Sequence, residues 1–538
     1  MTGKDVLILI LSCSLFIGLV IPLRGALVDD TYIHLVYARN LSDTGELSFN
    51  RGDPTYGSTS PLWVVLLAGI HSIGGDLLVW CRVFSWIFAI FSIALLYHLI
   101  LKMSGRISAA VAGSFMLASE AWFVRWSAVG METSFAVFVI LAVLVSALSS
   151  TRSASRSLLF GALLFLAVLA RPEALLLVPL SVLAFLLTPR EKKRYGLLWL
   201  LVFMPLFIIW LFLIKGHTGT FLPLTAGAKQ GRPDLSLALF RRALVPVKIM
   251  GTTLVLPWIA ILAGFCIGIV RDRSFLSFFL LAERSTPVHR GAARPQQRKS
   301  LGIWSGKERI IPPPGGSRAG LLLIIMWIFA LPLVYVIFDF QVLSRYLLPI
   351  VPVVISLGTV SWLKITGLAW KSAGIRKIAF VLFTVFVILE NVLFYSIVVV
   401  PPTAGFSKGM QGILVGIGEW LRMNSAERVL VATPDIGAVG YYSERRILDL
   451  GGLITPELNT MRQIVDVDTI IEDGLYLRFE PDFLVDRHEE PARFSGRILK
   501  GVRFVPVMQG TIPNLGIRKP YPVVYTLYRL ETVEHSGG

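Results

Sequence analysis

Two adjacent carboxylates, Asp29 and Asp30, follow directly on an apolar run that begins near Val6. Ionised acids are costly beside hydrocarbon, so this pair must face water or a polar cavity at the membrane edge. A carboxylate within hydrogen-bond reach of a hydroxyl can take its proton, which makes the pair a candidate general base. The plain alternative is an N-cap for a helix over 31–41, since Asp is a favoured cap. Arg171, in Ala170-Arg171-Pro172-Glu173, and Arg345, in Ser344-Arg345-Tyr346, stand beside apolar runs on the side where topology disfavours positive charge. Cations kept there call for an anionic partner, and phosphate is one that guanidinium binds well. Lys229 is a third candidate for the same role and Arg39 a fourth, although snorkelling to headgroups is the default reading of Arg39. Glu132 either binds sugar hydroxyls or pairs with Arg125, and Glu173 either holds a sugar or pairs with Arg171. Tyr32 and Tyr346 suit contact with a sugar, but interfacial aromatic belts account for most rings in such places. His34, one helical turn from Asp30, is placed to couple to it, and a lone histidine makes no metal site.

These residues must be positioned by membrane helices. The chain is 55% hydrophobic and 16% charged, with a mean hydropathy of +0.71, which excludes an ordinary soluble domain. Apolar runs close to the ~20 residues that cross a bilayer recur as far as Val400 and then stop. They predict about eleven spans, near 6–24, 77–101, 107–124, 133–150, 157–170, 172–188, 197–214, 250–270, 320–338, 346–363 and 378–400. A shorter apolar stretch, 61–73, reads as an interfacial helix within the first outer loop, 28–75. The net charge of +17 is uneven: residues 401–538 hold 15 Lys and Arg against 17 Asp and Glu, leaving +19 on the first 400. Basic residues gathered in short loops between spans, and in a long basic loop over 271–319, are what the positive-inside rule requires, with no nucleic acid partner needed. This places the N-terminus in the cytoplasm and the Asp pair outside. The three cysteines lie in apolar runs and imply no disulfide framework. Residues 401–538 change texture to alternating helix-like and strand-like runs, with strands expected near 428–432, 446–450, 482–485, 504–508 and 523–528, as in a small α/β domain.

The ordered motifs carry a resemblance. Asp29-Asp30-Thr31-Tyr32-Ile33, Tyr37-Ala38-Arg39-Asn40-Leu41, Gly45, Phe49-Asn50, Gly52 and Ser60-Pro61-Leu62-Trp63 open the pattern. Gly130-Met131-Glu132-Thr133, Ala170-Arg171-Pro172-Glu173-Ala174, Pro223 to Lys229 and Ser344-Arg345-Tyr346-Leu347-Leu348-Pro349 continue it. Asp435-Ile436-Gly437-Ala438-Val439-Gly440-Tyr441-Tyr442 and Asp449-Leu450-Gly451-Gly452-Leu453 close it. Together they resemble the polyprenyl-phosphate-sugar-dependent glycosyltransferases of GT-C type, nearest to the branch with the cell-wall arabinofuranosyltransferases. The chain departs at Gly57-Ser58-Thr59, where relatives often have Gly-Tyr-Thr, and at Pro223-Leu224-Thr225, where they often have Pro-Asn-Thr. Sugar specificity therefore does not transfer.

The resemblance implies an all-α polytopic membrane domain of GT-C type over 1–400 and a small extracytoplasmic α/β domain over 401–538. It implies a multi-pass protein of the cell membrane that moves a glycosyl unit from a polyprenyl-phosphate sugar to a glycan, lipid or protein acceptor. In the wider group the first acid of the first-loop motif is the base, which implies that role for Asp29, with Asp30 in support. One base without a second nucleophile points to inversion. A divalent cation is left open. Two other classes compete: a transporter or flippase, which needs charges near span midpoints and finds chiefly Glu390, and a receptor whose tail binds ligand at the Asp435 turn, although the default reading of that turn is a structural strand-to-helix connection.

Overall fold

The computed structural model describes residues 3–188, 195–225, 238–272, 317–340, 342–517 and 520–533. Backbone groups in lipid must be satisfied within their own segment, so the apolar runs become helices. Among the described residues seven are long and apolar enough to cross a membrane: Val6–Leu23, Leu77–Ser104, Thr133–Arg152, Leu200–Thr218, Arg318–Ile337, Ser344–Ala369 and Ala373–Asn424. Ala154–Ala170 and Pro172–Leu186, where two further spans were expected, are shorter apolar helices. Most of the basic loop over 271–319 lies outside the described residues, as does Lys229.

Two expected spans are broken. The run near 107–124 is Ile107–Ser119 and Ala121–Ala128, bent by 55°, and the run near 250–270 is preceded by a helix, Leu239–Gly251, that meets Val255–Val270 at 111°. Each break exposes backbone groups that need partners. Glu120 caps the first, its carboxylate accepting from the Phe123 amide at 2.6 Å. Asn391 ties the two breaks together, donating to the Thr253 carbonyl at 2.7 Å and accepting from the Ala121 amide at 3.0 Å. The boundary drawn at Pro401-Pro402 falls inside a continuous helical run from Ala373 to Asn424. A π-helical turn, Tyr395–Val399, precedes the prolines, which then occupy the start of the next α-helical stretch, Val400–Met410. There the missing N–H groups are tolerated.

The segment after the first membrane helix folds as a helix, Asp29–Thr44, an irregular stretch, and the expected short helix, Pro61–Ser72. The C-terminal part is a six-stranded mixed sheet built from β1 Leu430–Thr433, β2 Arg446–Asp449, β3 Phe483–His488, β4 Ile498–Leu499, β5 Val502–Ile512 and β6 Val523–Thr532, in the order β2-β1-β3-β6-β5-β4. β1 runs parallel to β2 and β3, and the remaining pairs are antiparallel. The β5/β6 register shifts between Pro506 and Met508, where proline cannot donate to the ladder.

Side chains alternate across a strand, and here the alternation separates two cores. Val431, Ile447, Phe483, Val485, Tyr525 and Leu527 join the core continuous with the membrane helices. Their neighbours Ala432, Leu448, Leu484 and Tyr528 form a second core with Leu458, Ile470 and Tyr476. The sheet is thus seated face-down on the membrane domain. A substitution at the helix breaks tests this framework from within: Asn391→Leu strands a buried carbonyl and a buried amide, each costing about 1–3 kcal/mol. Its thermal midpoint in detergent is expected to fall clearly below wild type, and an unchanged midpoint would remove Asn391 from the account of the bends.

Candidate active site

The helix Asp29–Thr44 determines which residues meet. Successive residues on a helix project about 100° apart, so positions 29, 32 and 39 share one face and positions 30, 33 and 34 another. The second face lines a cavity of about 530 Å³. Asp30, Ile33 and His34 contribute from this helix, and Met131, Glu132, Arg171, Glu173, Tyr335, Arg345 and Tyr346 from the ends of four other helical segments.

The cavity's charges are interlocked. Arg345, 5% exposed, donates to the Asp30 carboxylate, to the Tyr346 hydroxyl at 3.2 Å and to Met131 Sδ at 3.3 Å. Arg171 donates to Glu132 at 2.7 Å and forks onto Glu173 at 2.6 and 3.2 Å. The Tyr335 hydroxyl donates to Glu173 at 2.7 Å. His34 Nε2 lies 3.1 Å from the second oxygen of Glu132, and His34 Nδ1 lies 3.2 Å from Ser58 Oγ. A proton on Nε2 satisfies this chain, with the serine donating to Nδ1. Burial raises the Glu132 carboxyl, but the hydrogen bond from His34 and the charges of Arg171 and Arg345 outweigh it and hold the group well below the usual carboxylate range. Tyr346 lies under both guanidiniums, 5.1 Å from each. Apart from Ser58, Thr59 and Thr225, the rest of the wall is apolar, including Leu175, Leu176, Pro179, Leu331, Val334 and Phe338.

The other face of the helix meets the C-terminal domain. The two oxygens of Asp29 accept from the amides of Gly437 and Ala438 at 2.9 and 2.8 Å, at the start of the helix Gly437–Ser443. A Cβ on Gly437 would lie 2.0 Å from the Asp29 carbonyl oxygen, so only glycine permits this approach. Asp435 is nearby, held by Arg487 at 3.0 Å and by the Tyr525 hydroxyl at 2.8 Å. Burial and the charge of Asp435 push the Asp29 carboxyl up to about 7, while the amides of Ala438 and Gly437 pull it down.

Several expectations change on this evidence of geometry. Glu132 pairs with Arg171 and His34 rather than Arg125. Glu173 takes the Arg171 pairing. His34 couples to Glu132, not to Asp30. Arg39 is nine residues, half a revolution, from Asp30, and it reaches the Tyr441 carbonyl and Glu444 instead of the cavity. Tyr32, on the same face as Arg39, is packed between Tyr441 and Tyr442 at 5.6 and 5.7 Å and is 1% exposed. Asp435 is held within the fold by Arg487 and Tyr525, and Asp449 caps a turn through the amides of Gly451, Leu453 and Ile454. Tyr335 escaped notice, although a tyrosine in an otherwise apolar span was a readable signal. Among the described residues no three His, Cys, Asp or Glu side chains converge to hold a metal ion.

This architecture is that of a polytopic membrane protein of the GT-C fold. ArnT from Cupriavidus metallidurans bound to undecaprenyl phosphate is similar over 98% of both chains, with 12% identity and a TM-score of 0.52. The Archaeoglobus fulgidus oligosaccharyltransferase in its apo form is similar over 90% of this chain and 69% of that one, with 12% identity and a TM-score of 0.58. The same organism's AglB, in complex with an inhibitory peptide and a dolichol-phosphate, matches over the same shares at 11% identity with a TM-score of 0.58. A family model described as a domain of unknown function, DUF8728, matches residues 406–531. No curated protein matches.

The Asp29 clamp is testable through glycine. Gly437→Ala is expected to lift the helix Gly437–Ser443 off Asp29 and to increase hydrogen exchange of the Gly437 to Tyr441 amides, with the cavity residues unaffected. Wild-type exchange in that segment would contradict the clamp.

Proposed function

We propose that this protein is an integral membrane glycosyltransferase that moves a glycosyl unit from a polyprenyl-phosphate sugar to an extracytoplasmic glycan, lipid or protein acceptor. The observation that carries this reading is the cavity: a charged, hydrogen-bonding end joined to an apolar wall at one end of the membrane helices. Such a shape suits one amphipathic substrate with a polar head and a hydrocarbon tail. The GT-C fold supports it, since the similar ArnT structure holds undecaprenyl phosphate.

The chemistry follows from charge. The acceptor oxygen attacks the anomeric carbon, the bond from that carbon to the phosphate oxygen breaks, and polyprenyl phosphate leaves with one more negative charge. Cations near the phosphate favour that change over the ground state, and Arg345, Arg171 and Lys229 are assigned to it. The acceptor proton goes to Asp29. A base works best with its pKa near the working pH, and burial together with Asp435 brings Asp29 there. Asp30, tied to Arg345, holds the donor side of the pair, while Glu132, Glu173 and Tyr346 are assigned to the sugar. Donor and acceptor then approach the pair from two faces of one helix, and direct attack inverts the anomeric centre.

One observation favours a second assignment within the same reaction. Asp30 lines the cavity, whereas both Asp29 oxygens already accept amides. In that version Asp30 is the base and Asp29 an anchor.

The pH profile separates the two. Folding raises the Asp29 pKa, so its ionised form is disfavoured in the native protein: this contribution to stability is greatest below about pH 4 and is lost as pH rises through about 7. Activity runs the other way, because the base must be ionised. With Asp29 as base, kcat/KM should fall about tenfold per pH unit below about 7, and Asp29→Asn should lose at least ~100-fold in transfer with donor binding retained. A profile flat down to pH 5, with Asp30→Asn inactive and Asp29→Asn active, would reassign the base.

Orientation is tested independently. In a Cys266→Ser background, Ile464→Cys on the C-terminal domain, at a position 81% exposed, should react with an impermeant maleimide in intact cells. Labelling only after lysis would invert the topology.

A further inference from the structure

The proposed donor adds negative charge to a cavity whose described lining is not positive. Among the described residues three carboxylates line it, Asp30, Glu132 and Glu173, against two guanidiniums, Arg171 and Arg345. Each of those cations is already paired, Arg171 twice. A phosphodiester entering here, and still more the monoester that leaves, requires a cation not committed to a carboxylate.

Arg125 fits that need. It lies on the short helix Ala121–Ala128 and is 9% exposed. No described carboxylate pairs with it, none of its nitrogens donates to a described residue, and its Nε is buried without an acceptor. A buried guanidinium in that state is costly. Its neighbour makes matters worse: Arg125 and Arg345 lie against the same indole, 4.5 and 5.3 Å from the centre of Trp126. Trp126 donates to Ser344 Oγ at 2.8 Å, which helps hold the ring in place. The indole offsets part of the charge on each, but two like charges around one ring favour an anion beside them. Arg345 leads directly from this place into the cavity through Asp30.

We propose that Arg125 is a further donor-phosphate residue, supplying the uncommitted positive charge that the lipid-linked phosphate completes. This rests on the glycosyltransferase reading. Arg345 then acts as the bridge, holding Asp30 with one edge and sharing the phosphate field with Arg125, while Glu132 and Glu173 face the sugar.

The test uses the full chain in nanodiscs and two probes, a polyprenyl monophosphate and the matching polyprenyl alcohol, read by tryptophan fluorescence. Wild type should bind the phosphate far more tightly than the alcohol. Arg125→Gln should weaken phosphate binding about ten- to a hundredfold, the scale of a lost charge-assisted bond, with alcohol binding unchanged. Equal phosphate affinity in Arg125→Gln and wild type would overturn the assignment of Arg125 alone. No phosphate preference in wild type would overturn the glycosyltransferase reading as well. If Arg125→Gln does not fold, a cryo-electron microscopy structure of wild type with the polyprenyl monophosphate decides: phosphate within hydrogen-bond distance of the Arg125 guanidinium supports the proposal, and phosphate elsewhere rejects it.

Discussion

A carboxylate beside hydrocarbon must be paired or hydrogen-bonded, and the two that begin the helix Asp29–Thr44 are satisfied from two different parts of the chain. Asp30 is met by Arg345, from the start of a late membrane helix. Asp29 is met by two amides of the C-terminal domain, more than 400 residues away in sequence. Two neighbours on one helix thus fasten the membrane domain and the sheet domain to a common point. The sheet's face-down seating, the close approach at Gly437 and the packing of Tyr32 against Tyr441 and Tyr442 all depend on that junction.

The same rule organises the cavity. Arg171 is enclosed by Glu132 and Glu173, and Glu132 in turn engages His34. Such clusters are stable only when complete, because removing one partner leaves the others buried and uncompensated. A polar end so constructed holds its shape before substrate arrives, which is what positioning a sugar for attack requires. On the proposed reading, the apolar wall beside it faces the hydrocarbon chain of the donor.

Much of this was legible in the sequence, and the parts that were not share a physical cause. Hydropathy located the helices because lipid permits little else, and sequence pattern located five of the six strands of the C-terminal sheet, missing the two-residue β4. Asp30, Glu132, Arg171, Glu173, Arg345 and Tyr346, each flagged by residue type and neighbourhood, line one cavity. Their partners were harder to read. Glu132 was matched with Arg125 because the two are close in sequence, but the backbone turns between them and Arg171 arrives from another helix. Arg39 and Tyr32 were placed with the site because motif order carries no information on helix faces. The bends at Glu120 and Thr253 were invisible, since an apolar run reads alike whether straight or broken, and the side chain that joins them, Asn391, looks in sequence like an ordinary polar residue in a span.

The central claim is that the cavity cleaves the bond between a sugar and a lipid phosphate. The most direct measurement is to incubate the purified protein with a panel of polyprenyl-phosphate sugars, with and without hydroxyl acceptors, and to follow the products by mass spectrometry. The account predicts that at least one donor is converted to free polyprenyl phosphate, with its sugar recovered on an acceptor or on water. Donors that bind yet remain intact under every condition would contradict it.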